Sequence, residues 1–335
     1  TLVDGEIKLV KEPIRHGYSF PSSVYVTDKG ELLVGCAADN NRRKDPSRYK
    51  REFKRDWGSA EPYRLGDRQM LPEELAAEVL RKLRAEAEKM AAHRGATVDA
   101  ALVTVPANYQ SHKRKLVKQA GLAAGFADVE LLEEPVAAAM YYTWSGGVVE
   151  EGEVLLVYDL GGGTFDVTMI EIKDRLIRVI CTGGDHRLGG ALWDEAVVVH
   201  LADEFKAQTG LDSDPMDDPE VLNDLFLQAE RGKKTLTLRD KAPFRVTHAG
   251  QQVRVELERP RFEELTRHLL DRTVELTREM LDDAKAKGSE RFDKIILVGG
   301  ATRMPQVRAR LVEEFGQEPE VFDPDESVAK GAALF

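Results

Sequence analysis

The sequence predicts an α/β protein made of two similar halves that face each other across a ligand-binding cleft. Three observations carry that prediction. The chain has 335 residues, more than the roughly 250–300 at which a single hydrophobic core stops growing, so two lobes are expected. Short apolar runs alternate with longer stretches of helical periodicity, the pattern of strands laid beside helices. The alternation also repeats. Val103-Thr-Val-Pro106 precedes a helix, and Glu133-Glu-Pro-Val-Ala-Ala-Ala139 comes about thirty residues later. Leu297-Val-Gly-Gly300 precedes another helix, and Asp325-Glu-Ser-Val-Ala-Lys-Gly-Ala-Ala333 follows at a similar distance. Each half reads as a strand, a helix, a carboxylate and an Ala-rich close-packing helix, which would set a ligand between the halves.

The elements follow in order. Residues 6–10, 22–27 and 31–35 read as strands, the last two joined as a hairpin by Thr27-Asp-Lys-Gly30. A basic, polar stretch occupies 40–55. Pro72-Glu-Glu opens a long helix whose apolar positions Leu75, Val79, Leu80 and Leu83 share one face. Residues 99–105 form a buried-type strand ending at Pro106, followed by a helix over about 111–125. Glu153-Val-Leu-Leu-Val-Tyr-Asp159 is a continuous apolar run that ends in a carboxylate and then three glycines. Residues 167–172 and 176–182 are further strands. Helix is expected over about 193–237, broken by an acidic loop near 210–219. Residues 244–257 read as a two-stranded ribbon around Ala249-Gly250. A helix over about 262–287 leads into a last strand and helix, 294–298 and 304–315.

The chain carries 48 Lys and Arg against 59 Asp and Glu, a net charge of −11, which argues against a nucleic-acid surface. No apolar run approaches the ~18–20 residues that cross a bilayer. Thr1-Leu-Val-Asp-Gly5 shows no basic region or apolar core of an export signal, so the cytoplasm is the expected compartment. Cys36 and Cys181 lie far apart in apolar, strand-like settings and are expected to be buried small hydrophobes in a reducing compartment. The histidines form no i, i+4 pair and no Cys/His cluster, which argues against structural zinc.

The strongest chemical signal is Asp159-Leu-Gly-Gly-Gly-Thr-Phe-Asp166. Glycines 161–163 let backbone N–H groups approach an anion that side chains would block. Thr164 adds a hydroxyl. Asp159 and Asp166 are hard oxygen ligands suited to Mg²⁺, which keeps several waters when it accompanies phosphates. The plain alternative is a glycine-rich hairpin with two solvated aspartates, because short glycine motifs often match by chance. The Walker A pattern is absent.

Five segments in order are far more specific than the triple glycine. Val157-Tyr-Asp-Leu-Gly-Gly-Gly-Thr-Phe-Asp-Val167 resembles the second phosphate motif of the heat-shock protein 70 (DnaK-like) chaperones. Leu132-Glu-Glu-Pro-Val-Ala-Ala-Ala-Met140 resembles that family's first connecting helix, and Gly184-Asp-His-Arg-Leu-Gly-Gly190 the stretch crossing into its second lobe. Leu297-Val-Gly-Gly-Ala-Thr-Arg-Met-Pro305 is similar to the adenosine motif, and Asp323-Pro-Asp-Glu-Ser-Val-Ala-Lys-Gly-Ala-Ala333 to the second connecting helix. The resemblance covers nearly the whole chain. It implies the actin-like ATPase fold, two ribonuclease-H-like α/β lobes around a nucleotide cleft, each with an added smaller subdomain. Lobe I would span 1–152, with an outer subdomain over about 23–75. Lobe II would span 153–335, with an outer subdomain over about 191–265 and a helix over about 325–335 returning to lobe I.

Carried over residue by residue, the resemblance implies these roles. Gly161, Gly162, Gly163 and Thr164 would hold the β- and γ-phosphates of ATP or ADP, and Asp159 and Asp166 would act on Mg²⁺ through its waters. Glu134 would lie near the attacking water, and Lys54 would position that water and stabilise developing charge, since phosphoryl transfer needs positioning and cations. The adenine side would use Gly299, Gly300 and Arg303 with Glu230, Lys233, Lys234 and Thr237, and Gly189, Gly190 and Asp325 would also bind the nucleotide. Pro106 and Arg114 match residues that relay nucleotide state. Implied partners are adenine nucleotide, a J-domain co-chaperone and a nucleotide-exchange factor, with peptide clients only through a domain absent from this chain. Simpler readings stand beside these: Lys54 as a solvated lysine in the basic run 51–55, Glu134 as a helix N-terminal acid, and 230–237 as a solvated helix face.

There are departures. Lys234 stands where the family has a stacking arginine, and lysine lacks that planar surface. Ala301 replaces a serine, and Ala191-Leu192 replaces an acidic pair, which should remove an inter-lobe salt link. The family's first phosphate motif, an Asp-x-Gly-Thr-Thr loop, would precede Thr1, so the molecule is expected to carry residues ahead of it. The region after Trp57 is short, so the outer part of lobe I should be small. Two other functions compete: a non-catalytic, nucleotide-dependent scaffold or filament protein of the same fold, and a sugar-type kinase, for which no motif is found.

Overall fold

The computed structural model describes residues 1–335 except 4, 94, 149, 174, 175 and 290. The first part opens with a short ribbon, β1 (Leu2–Val3) and β2 (Glu6–Ile7). Asp4 lies outside the described residues. The expected strand over 6–10 is cut short because its partner is only two residues long.

A three-stranded antiparallel sheet follows, with β3 (Ser23–Val26) between β4 (Leu32–Val34) and β5 (Tyr49–Arg51). Helix α1 (Cys36–Asn41) lies between β4 and β5, so Cys36 opens a helix and does not sit on a strand as expected. The basic stretch 40–55 is structured: it contains β5 and the 3-10 turn Phe53–Asp56. The hairpin β6 (Tyr63–Leu65) and β7 (Arg68–Met70) precedes α2 (Pro72–Ala92). Pro72 fits the first helical position, and Glu74 reaches back to accept from the Leu71 N–H at 2.7 Å. Strands β8 (Ala100–Val105) and β9 (Asp128–Glu133) pair in parallel around α3 (Ser111–Ala123), and α4 (Glu134–Trp144) begins where β9 ends.

The second part is built on a five-stranded sheet. β10 (Val154–Leu160), β11 (Phe165–Lys173) and β12 (Leu176–Asp185) run antiparallel. α5 (Gly190–Thr209) and α6 (Pro219–Leu238) follow, the latter capped by the Asp218 carboxylate. The hairpin β13 (Lys241–His248) and β14 (Gln251–Glu258) alternates buried and exposed residues and leads into α7 (Arg259–Ala286). β15 (Lys294–Val298) then pairs in parallel with β10, α8 (Pro305–Phe315) follows, and β16 (Glu320–Val321) adds a parallel edge. α9 (Ser327–Ala332) closes the chain.

β10 is buried on both faces, which its uninterrupted apolar run requires. One face joins Tyr158, Phe165, Trp193, Leu201 and Phe205 in the largest core. The other joins Leu155, Val157, Ile296 and Val298 to Ala138 and Tyr142 of α4, with Val328 of α9 packed against them. A separate core gathers Val24, Phe53, Trp57, Leu75, Val105 and Val117 in the first part. α4 and α9 meet backbone to backbone at Gly331 and Ala137: a Cβ on Gly331 would stand 1.7 Å from the Ala137 carbonyl oxygen. Among the described residues, no helix is long and apolar enough to cross a membrane.

Candidate functional site

β10 and β11 form a hairpin in which Asp159 and Asp166 are direct partners, and the three glycines lie in its turn. The Gly161 N–H donates to the Thr164 carbonyl at 3.0 Å. On the other side of β10, Val298 of β15 pairs with Asp159, so the Gly299-Gly300 turn emerges beside the glycine hairpin. Gly299 has φ 85, and a Cβ there would stand 2.5 Å from Asp159 Oδ1. The start of α5 closes on the same hairpin: the N–H groups of Gly190 and Ala191 donate to the carbonyls of Gly161 (3.0 Å) and Gly162 (2.8 Å). A Cβ on Gly189 would stand 2.4 Å from the Gly163 carbonyl carbon, so only glycine lets these backbones meet. All seven predicted cradle glycines thus lie at one end of the second sheet.

The opposite wall comes from the first part of the chain. Lys54, in the 3-10 turn, donates to Glu134 Oε1 at 2.8 Å, Glu134 being the first residue of α4. Burial works against the ammonium, but Glu134, Tyr109 and Asp166 outweigh it and hold Lys54 charged above the usual lysine range. Desolvation first, then Glu134 and Asp166, push Asp159 up to about 8. Desolvation and Glu134 push Asp166 up to about 6, against the opposing pull of Lys54, Thr164 and Asn108. Asn108 Nδ2 donates to Asp166 Oδ1 at 2.9 Å. Glu134, Asp159 and Asp166 line one small cavity with Pro106, Pro135 and Thr168.

Two desolvated, mutually repelling carboxylates of hard oxygen are a donor set that a hydrated divalent cation satisfies. The residues therefore fit Mg²⁺ held through water. Among the described residues, no group of three or more His, Cys, Asp or Glu is arranged to enclose a metal directly.

The predicted adenosine residues are less uniform. Glu230 accepts from Lys234 at 2.9 Å and from Arg51 Nη1 at 2.9 Å. Its burial opposes ionisation, but Arg51 and Lys234 win and draw it down to about 2. Lys234 is otherwise exposed. Lys233 is buried under α5, donating to the Gly190 carbonyl at 2.6 Å and pairing with Asp194 at 2.7 Å. Thr237 bonds the Lys233 carbonyl of its own helix at 3.2 Å. Arg303 forms a two-pronged pair with Asp325 Oδ2, at 3.0 and 2.6 Å, over Gly300. Arg114 donates to Glu133 at 2.6 Å and to the Tyr109 carbonyl at 2.8 Å, tying the loop after β8 to the end of β9.

Ala191 and Leu192, being uncharged, supply no ionic link between the halves, and the basic stretch supplies others. Arg43 pairs with Asp224 at 2.6 Å, Arg51 with Glu230, and Arg42 donates to Asn223 Oδ1 at 2.5 Å. Arg55 Nε donates to the Gly163 carbonyl at 2.9 Å. Arg51, Arg55 and Asn108 escaped the sequence reading. The two arginines sit in a run that looks solvated, and the acceptors of Arg51 and Arg55 lie 179 and 108 residues away. No local signal announces such pairs.

The family model described as Hsp70 protein matches residues 59–335. The chaperone protein DnaK of Halobacterium salinarum is 39% identical over 320 residues, covering 93% of this chain and 49% of that protein. The chaperone protein DnaK of Thermotoga neapolitana is 39% identical over 324 residues, covering 94% of this chain and 53% of that protein. That of Thermotoga maritima matches to the same extent. The chain spans about half the length of the curated relatives it matches.

Proposed function

Because this chain belongs to the Hsp70 protein family, with its actin-like ATPase fold, we propose that it binds ATP or ADP with Mg²⁺ and hydrolyses ATP to ADP and phosphate. The observation that carries the reading is the Lys54–Glu134 pair on one wall, which shares a small cavity through Glu134 with the Asp159 and Asp166 carboxyls that flank the glycine hairpin. In this reading residues 1–152 are lobe I, 153–335 are lobe II, and the cleft lies between them.

Gly161 to Thr164 surround the β- and γ-phosphates, where backbone N–H groups and the Thr164 hydroxyl can donate to their oxygens. Asp159 and Asp166 would hold hydrated Mg²⁺ through its waters, and the ion would offset phosphate charge. Lys54, fixed by Glu134, faces the γ-phosphate; it orients the attacking water and stabilises the charge that builds as the bond to the β-phosphate breaks. Glu230, Lys234, Gly299, Gly300, Arg303 and Asp325 take the adenosine. Lys233 and Thr237 support that side from beneath, because their polar atoms bond within the protein.

A chaperone role follows the relatives' names and would couple nucleotide state to lobe closure, with a J-domain co-chaperone and an exchange factor as partners. The two free, buried cysteines suit the reducing cytoplasm. Neither the family match nor those names favours the scaffold or filament alternative. Calorimetric titration of ADP and ATP with Mg²⁺, followed by single-turnover hydrolysis, tests the reading. Absence of binding at millimolar nucleotide would remove it; binding without turnover would return the scaffold.

A further inference from the structure

Arg55 follows Lys54 in the 3-10 turn, and its guanidinium lies on the glycine hairpin. Nε donates to the Gly163 carbonyl at 2.9 Å, and Nη1 pairs with Glu52 Oε2 at 3.2 Å. Nη2 is buried and has no hydrogen-bond partner among the described residues. A Cβ on Gly163 would stand 3.0 Å from Nε and 3.7 Å from Nη2, so the guanidinium touches the loop closely. A buried cationic N–H without an acceptor is costly, and an anion beside it would remove that cost.

Glu52 aims this arginine. Its backbone is left-handed, φ 61, an uncommon conformation for a residue other than glycine. Its Oε1 accepts from Arg51 at 2.8 and 3.0 Å while its Oε2 faces Arg55, and Arg51 continues to Glu230. A chain of four charged side chains therefore joins Glu230 to the glycine hairpin and fixes the plane of the Arg55 fork.

We infer that Arg55 is a second phosphate-contacting cation of the cleft, with Glu52 as its positioning residue and Nη2 directed to an oxygen of the nucleotide's phosphates. The inference rests on the nucleotide reading above. Guanidinium suits this role because its planar fork can keep the Gly163 carbonyl on one N–H while offering another to a phosphate.

The experiment is calorimetric titration of ADP and of adenosine into the parent, Arg55→Ala, Arg55→Lys and Glu52→Gln, all with Mg²⁺. Arg55→Ala should weaken ADP about tenfold to a hundredfold, the range for a hydrogen bond to a charged group, and leave adenosine unchanged. Arg55→Lys, which keeps the charge and disturbs folding least, should recover only part of the ADP affinity. Glu52→Gln, which also loosens Arg51 beside Glu230, should give a smaller loss that is greater for ADP than for adenosine. Equal losses for ADP and adenosine would make Arg55 a brace of the loop, and an unchanged ADP affinity would take it off the phosphates; either result overturns the inference. A parent that binds adenosine but not ADP would overturn it too, whereas a parent that binds neither ligand would bring down the nucleotide reading itself.

Discussion

Asp159 and Asp166 occupy one rung of the β10–β11 ladder, so their carboxyl groups are held in each other's field by backbone pairing. Neither ionises at the ordinary pH of an aspartate: burial and the neighbouring Glu134 raise Asp166 to about 6, and burial, Glu134 and Asp166 raise Asp159 to about 8. The rung therefore stores an electrostatic conflict that only a cation or a proton relieves.

That conflict has a pH signature. Between the ordinary aspartate value of 3.8 and about 8, the folded state keeps on Asp159 a proton that the unfolded chain has lost. Stability from this group is complete below the lower value and declines as pH rises through the upper one. Without metal, Asp159→Asn should therefore gain stability relative to the parent as pH is raised across that window. Thermal melts at a series of pH values measure this, and a difference independent of pH would show that Asp159 ionises freely.

Magnesium and ADP should bind cooperatively for the same reason. Coupling between two ligands is typically about 1–3 kcal/mol, or roughly 5–150-fold in affinity. In Asp159→Asn the Mg²⁺ enhancement of ADP affinity should shrink while metal-free affinity holds or improves. Titrations with and without Mg²⁺ decide; an unchanged enhancement would place Asp159 beyond the metal's water shell.

Lys54→Ala should act on chemistry more than on affinity, since the Nζ of Lys54 is held by Glu134 on the wall facing the two aspartates. Single-turnover hydrolysis should fall by roughly 10²–10³, the usual effect of losing one positioned electrostatic group. Parallel losses of ADP affinity and rate would assign Lys54 to ground-state binding.

Gly189→Ala tests the seam between α5 and the hairpin. The new methyl would meet the Gly163 carbonyl carbon at 2.4 Å and the Thr164 nitrogen at 2.6 Å, both backbone atoms that cannot swing aside. Overpacking of this kind costs about 1–3 kcal/mol. The variant should lose that much in denaturant unfolding and should bind ADP more weakly than the parent. Parent-like values for both would mean that the seam yields freely.

Much of the frame was readable in advance because it is local. The buried run of β10, the proline start of α2, and the ribbon of β13 and β14 around Ala249-Gly250 each announce themselves within a short window. β9 did not, because Asp128, Glu130 and Glu133 interrupt its apolar pattern. The β6–β7 hairpin did not either, since three-residue strands carry too little periodicity. In the site, the glycines and aspartates were visible as a motif. Arg51, Arg55 and Asn108 were not, because their significance lies in partners remote in sequence, and charge alone cannot tell a solvated arginine from one lying on a loop.

The contact of Gly331 with Ala137 bears on how the molecule can move. At this point α4 and α9 meet backbone to backbone, so the joint has little compliant side-chain material there to shear or compress. Such a joint acts as a fulcrum: the parts on either side can swivel about it but cannot drift apart at it. Spin-label distances between positions 43 and 224 should change with nucleotide while those between α4 and α9 stay constant, and the reverse pattern would refute a fixed pivot. With the axis pinned, a small rotation set at the glycine hairpin grows in proportion to the lever arm. Cross-links farther from the pivot would then be displaced more than those beside it.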